Sequence, residues 1–251
     1  MSTDVKEFED TIHHNLKLLK EKSAGNYNPP NVVISGAWNI PGTLSWHELK
    51  GKGNKTNREL EMIGSKIERD VERVTERVIE AGWKVIVGGA LGVDYFATKK
   101  VYDMGKLDQL LIMFPSRRGA YLERLTQAHL DKDIISREQL DNNNGLLTKI
   151  SNESPSSIYE PRFDNCDEDK YLIRNSREAF IGDYLCAFHV DNTEGTKDAI
   201  EKFKELKKFV YVYRYEVLKN GWTKELKEHI YNAESSGLSD EEIERFFGYQ
   251  N

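Results

Sequence analysis

Cysteine, proline and long apolar runs are all scarce in this chain. Two cysteines among 251 residues leave no disulfide framework to staple a small fold and no spacing for a Cys-based metal site. Cys186 sits inside the apolar run YLCAFHV, where a buried thiol is expected, and Cys166 lies in the polar stretch FDNCDED. No apolar run reaches the length of a bilayer span, and the acidic opening MSTDVKEFED lacks the basic start of a secretory signal. A reducing, cytoplasmic setting is therefore expected, without membrane contact. An excess of positive charge is missing too. Thirty-six basic against 42 acidic side chains give a formal charge of −6, which disfavours a surface that coats nucleic-acid phosphates. His13 and His14 read as surface residues, and no metal is expected. There is no internal repeat.

What is present is alternation. Residues 3–22 carry Val5, Phe8, Ile12, Leu16 and Leu19 at three- and four-residue steps, an amphipathic helix that Gly25 and Pro29-Pro30 terminate. NVVISG then reads as a strand, and a long loop with Trp38 and Trp46 follows. Leu60, Ile63, Ile67, Val71, Val74 and Val78 form one stripe of a helix over 57–81, because such spacing keeps them on one face. WKVIV, QLLIMFP, YLCAFHV and FVYVYRY are further strands, each with a helical segment between it and the next. Residues 132–168, rich in Asn, Ser and Asp, interrupt the rhythm and read as a long, partly helical surface insertion. The tail from Trp222 reads as helical, with Ser239 and Glu242 in capping-box spacing.

Such alternation predicts an α/β fold, a Rossmann-like three-layer sandwich with a mostly parallel sheet. The expected organisation is an N-terminal helix and linker over 1–30, the sheet domain over 31–215, and a C-terminal helical tail over 216–251. Strands end at Ser35-Gly36, Gly88-Gly89, Pro115 to Arg118 and Asp191 to Thr196. All four turns are expected along one edge, where ligands of open α/β sheets bind.

Each turn offers chemistry. Gly88, Gly89 and Gly92 let backbone approach a ligand, and the helix behind them presents free N–H groups to an anion. GGxxG is not the GxGxxG of dinucleotide sites, so no nicotinamide cofactor is expected. Asp94 either accepts from a ribose or caps its helix. Gly195 and Thr196 open another helix and suit a phosphate, or serve as an ordinary cap. Arg174 with Asn175, and Arg117 with Arg118, are candidate anion contacts. Trp38 and Trp46 stack on a base or pack as a lid.

Taken in order, VVISG ahead of a long helix, KVIVGGALGVDYFA, LIRNSREAFIGDYLCAF and EGTKDAI resemble the SLOG superfamily. That group holds the Smf-type DNA-processing protein A and the LOG-type phosphoribohydrolases. The pattern is most similar to its small YpsA- and YspA-like branch, in which GGAxGxD, RN and GT follow one another. The resemblance covers about residues 31–214 and implies a glycine edge that binds a nucleotide, a nucleotide-derived signal or single-stranded DNA. It also implies a homodimer. The positions that match are Ser35, Gly36, Gly88, Gly89, Gly92, Asp94, Arg174, Asn175, Gly195 and Thr196. Two features depart from it. LOG enzymes carry PGGxGTxxE with a catalytic Glu, where this chain has DNTEGTKDA and Ala199. DNA-processing proteins carry a larger basic surface than a charge of −6 promises. The leading expectation is therefore nucleotide binding. Its rivals are an N-glycosidase or base transferase using Asp94, Asp191 or Glu194, and a single-stranded DNA binder.

Overall fold

The computed structural model describes residues 29–38, 57–127, 135–191, 193–217 and 227–248. The expected N-terminal helix with His13 and His14 and the loop around Trp46 lie outside the described residues. Within them, short β-branched runs form β1 (Asn31–Gly36), β2 (Lys84–Val87), β3 (Leu110–Met113), β4 (Ile158–Tyr159), β5 (Tyr184–Val190), β6 (Phe209–Tyr215) and β7 (Lys227–Tyr231). These make one sheet in the order β4-β3-β2-β1-β5-β6-β7. β1 to β6 run parallel, and β7 joins β6 antiparallel. The helices are α1 (Asn57–Glu80), α2 (Val93–Asp103), α3 (Arg118–Leu125), α4 (Arg137–Glu153), α5 (Glu168–Ile181), α6 (Glu194–Glu205) and α7 (Asp240–Phe247).

Side chains of a strand point alternately to its two faces, and here both faces are covered. Val32, Ile34, Cys186 and Phe188 pack with the α1 stripe Ile63, Ile67, Val71, Val74 and Val78 and with Val93, Ala97 and Val101 of α2. Val33, Leu185, Ala187, Val210 and Val212 pack on the other face with Ala179 of α5 and Ile200 and Phe203 of α6. The helices thus sandwich a Rossmann-like sheet, as the alternation predicts.

Two expectations need correction. Residues 132–168 are not merely an insertion: α4 and β4 continue the strand–helix rhythm, with Ile158 in register with Ile112. The helix was hidden because Asn143 is buried in the apolar stripe of Leu140, Leu147 and Ile150, so the periodicity looks broken. A two-residue strand carries no period at all. The C-terminal tail is not wholly helical either. Only Lys227 and Glu228 of KEHIY are good helix formers, and the run becomes β7 beside a β6 edge whose backbone groups need partners. α7 does form behind the expected capping box of Ser239 and Glu242.

α7 is tied into the core. Phe247 is fully buried, with its ring 5.4 Å from Phe209 and 5.7 Å from Tyr211. Arg77 of α1 donates to the Gly248 carbonyl at 2.8 Å. Phe247→Ala is expected to cost about 3–5 kcal/mol through lost burial and the cavity left behind, read as a lower urea midpoint with little change in slope.

Candidate functional site

Strand order sets a switch point. β1 pairs with β2 on one side and β5 on the other, so the chain runs outward to β4 and then returns beside β1. The connections part there and leave a crevice beyond the carboxyl ends of the strands. A cavity of about 620 Å³ occupies this place, walled by Ser35 and Gly36 at the end of β1, Ala90, Leu91 and Asp94 after β2, and Thr193 to Thr196 at the start of α6. Three of the four turns expected along the edge meet in one cavity.

Arg174 of α5 organises the floor. Its Nη1 donates to the Gly88 carbonyl at 3.1 Å, and its Nε and Nη2 donate to Asn175 Oδ1 at 3.3 and 3.0 Å. Its Nε lies 3.7 Å from Glu178 Oε1, both side chains being almost wholly buried. Burial works against the Arg174 charge, and Glu178 and Asp94 more than offset it. Asn175 passes the connection on, donating to the Gly195 carbonyl at 3.2 Å and to Asp198 Oδ2 at 2.8 Å. Arg174 and Asn175 therefore join α5, the β2 turn and the first turn of α6.

The glycines largely answer to this internal packing. A Cβ on Gly88 would run into the Arg174 guanidinium, and one on Gly92 into the Ala37 carbonyl. Gly92 has φ 67° and Gly89 φ 71°, a region that costs other residues strain. Asp94 closes the turn by accepting from the Ala90 N–H at 3.1 Å. Burial raises the Asp94 pKa, while Arg174 and the Ala90 and Gly88 amides pull it back down. Asp94 caps its own turn, and it also borders the cavity.

The opposite wall is more open to a ligand. Thr193, the N-cap of α6, gives its hydroxyl to the Val190 carbonyl at 2.8 Å and leaves the helix without a side-chain cap. The first-turn amides and the positive end of the helix dipole thus border the cavity. The buried Thr196 hydroxyl has no hydrogen-bond partner among the described residues and lines the same wall. Trp38, Tyr121 and Tyr171 supply aromatic surface, and Arg124 adds a cation. Tyr121 and Arg124 are three residues apart on α3, as are Tyr171 and Arg174 on α5, a spacing that shares one helix face. Sequence reading passed over Tyr121, Arg124, Tyr171 and Asp198, although that spacing was there to use.

Other candidates fall elsewhere. Arg117, after β3, is half-exposed and pairs with Asp164 at 2.6 Å rather than lining the cavity. Asp191, with φ 48°, accepts from the Val217 N–H at 2.8 Å and is not part of the lining. Glu194 stands on the rim with its side chain 81% exposed. Glu178, which sequence reading did not single out, is held under the floor, where burial pushes its carboxyl up to about 7 against the pull of Arg174. Among the described residues no group of His, Cys, Asp and Glu could hold a metal ion, and no helix is long and apolar enough to cross a membrane.

No family model matches the sequence, and no curated protein matches it significantly. Two solved structures are similar at low identity. One is DNA processing protein A from Helicobacter pylori, described for its single-stranded DNA binding mode, at 17% identity and TM-score 0.47. The match covers 74% of this chain and 65% of that one, so this chain spans less than two thirds of that protein. The other is TM1055, a structural-genomics target, at 14% identity and TM-score 0.40, with 72% of each chain covered.

The buried pair under the floor has a pH signature. A carboxyl raised in the folded state binds more protons there than in the unfolded chain, so its contribution falls as pH rises from about 4.5 to about 7. Glu178→Gln removes that slope. Its stability relative to the parent chain should climb across this window by on the order of 3 kcal/mol, measured by urea melts at several pH values. A flat difference would mean that Glu178 titrates at its ordinary pKa.

Proposed function

We propose that the chain is a SLOG-like protein that binds a nucleotide or a nucleotide-derived small molecule in the switch-point cavity. The observation that carries this reading is one wall: an uncapped α6 first turn with the unpartnered Thr196 hydroxyl, facing aromatic side chains across a single cavity. The helix start suits a phosphate. Trp38 and Tyr171 suit the face of a base, and Arg124 adds a second anion contact. A volume of about 620 Å³ falls within the range of small-ligand pockets.

Binding is favoured over N-glycoside hydrolysis. Departure of a base builds positive charge on the ribose, which calls for a carboxylate beside the sugar. Ala199 occupies the position of the LOG glutamate and is 1% exposed, on the core side of α6. Asp94 closes its own turn, Asp191 holds the Val217 amide, and Asp198 is engaged by Asn175 and Lys202. Glu168 and Glu194 are the carboxylates left exposed on the lining. A single-stranded DNA partner is less favoured: Arg117 and Arg118 pair with Asp164 and Glu160, and the chain carries a charge of −6. A homodimer belongs to the same proposal, and light scattering tests it.

Native mass spectrometry of the purified protein should reveal a nucleotide-like ligand, and calorimetry should find a nucleoside 5′-phosphate that binds. Thr196→Val and Arg124→Ala should each weaken that binding roughly tenfold without altering the circular dichroism spectrum. If no nucleotide co-purifies and none of the common monophosphates gives heat, the reading fails.

Overnight incubation with the same monophosphates should release no free base on chromatography. Release of at least one equivalent, lost on Glu194→Gln or Glu168→Gln, would put hydrolysis first. Oligonucleotide affinity that survives physiological salt would instead put DNA first.

A further inference from the structure

On the same face of the sheet as α6, but on the side of that helix away from the switch point, β5, β6 and β7 border a separate cavity of about 430 Å³. Its lining follows from strand parity. Residues 189, 212 and 214 share a face with Leu185, Ala187 and Val210, which pack under α6. At the end of β5 and β6 that apolar row gives way to His189 and Arg214, which line the cavity.

His189 is 6% exposed, and among the described residues neither ring nitrogen completes a hydrogen bond, although the Thr193 backbone lies close enough to favour its charged form. Beside it, the buried Nε–H of Arg214 also has no acceptor among the described residues. Burial and the Arg214 charge lower the His189 pKa, with the Thr193 backbone, Asp191 and Glu194 opposing. The ring is therefore neutral at pH 7, with one N–H to donate. Buried donors without acceptors are rare and costly. Two of them converging on one cavity call for an oxygen-rich anion.

The mouth agrees. Lys197 and Lys204 line it from α6, about 10 Å apart along the helix. Lys204 Nζ sits 3.8 Å from the centroid of the Tyr231 ring on β7. Their glutamate neighbours, Glu194 at 4.0 Å and Glu201 at 3.3 Å, are exposed partners whose hold is weak in water.

We propose that this groove is a second anion site, distinct from the switch-point cavity, that takes a phosphate group. His189 and the Nε–H of Arg214 donate to its oxygens, and Lys197 and Lys204 draw it in. Free phosphate and a phosphomonoester share the recognised chemistry. Both are probed, at constant ionic strength, by titrating ¹⁵N-labelled protein with inorganic phosphate and with glycerol 3-phosphate. The Arg214 Nε–H and His189 ring signals should shift saturably with at least one of them, and the tighter of the two names the source. Arg214→Gln should weaken the response about tenfold or more. Lys197→Ala and Lys204→Ala, both on the surface of α6, should each weaken it roughly two- to fivefold and serve if Arg214→Gln does not fold. The proposal is overturned if these side chains stay silent while the Gly195 and Thr196 amides respond. It is equally overturned if chloride reproduces the shifts, or if the lysine variants leave the affinity unchanged.

Discussion

The buried guanidinium of Arg174 is the contact on which the rest of the site depends. It holds the Gly88 carbonyl, orients Asn175 and balances Glu178 and Asp94. Removing one member of such a group leaves charge stranded in a low-dielectric interior, a far larger penalty than losing an exposed ion pair. The glycine turn, α5 and the start of α6 therefore keep their relative positions through Arg174 and Asn175. Ligand contacts can then come from α6 and the aromatic wall, because the floor is already committed.

Division of labour among polar groups follows from this. Arg174, Asn175 and Asp94 look from sequence like ligand contacts, yet in the fold each is engaged by the protein itself. Those contacts set the geometry of the crevice that the three residues also line. The groups left with unused hydrogen-bonding capacity are less conspicuous in sequence: a threonine hydroxyl, backbone amides of an uncapped helix, and an arginine three residues after a tyrosine.

How much of this could be read from the residues varies by element. The sheet and its helices were legible wherever one period ran unbroken, as in Val32 to Ile34 or the stripe from Ile63 to Val78. Convergence of the strand ends was legible too, since it follows from parallel connections alone. α4 escaped because a buried Asn143 stands in its apolar stripe, and β7 because its pairing is dictated by the neighbouring β6 rather than by its own composition. The contacts of Gly88 and Gly92 could not be foreseen, because the atoms they accommodate lie far along the chain or on another loop. Arg117 follows β3 but pairs with Asp164 and is not on the cavity lining.

α6 stands between two cavities, and Glu194 lies on the lining of both. An occupant on one side thus shares a charged wall with an occupant on the other. If both proposed sites were filled, a shift that one occupant imposed on that carboxylate would reach the other, and linkage would make the influence equal in both directions.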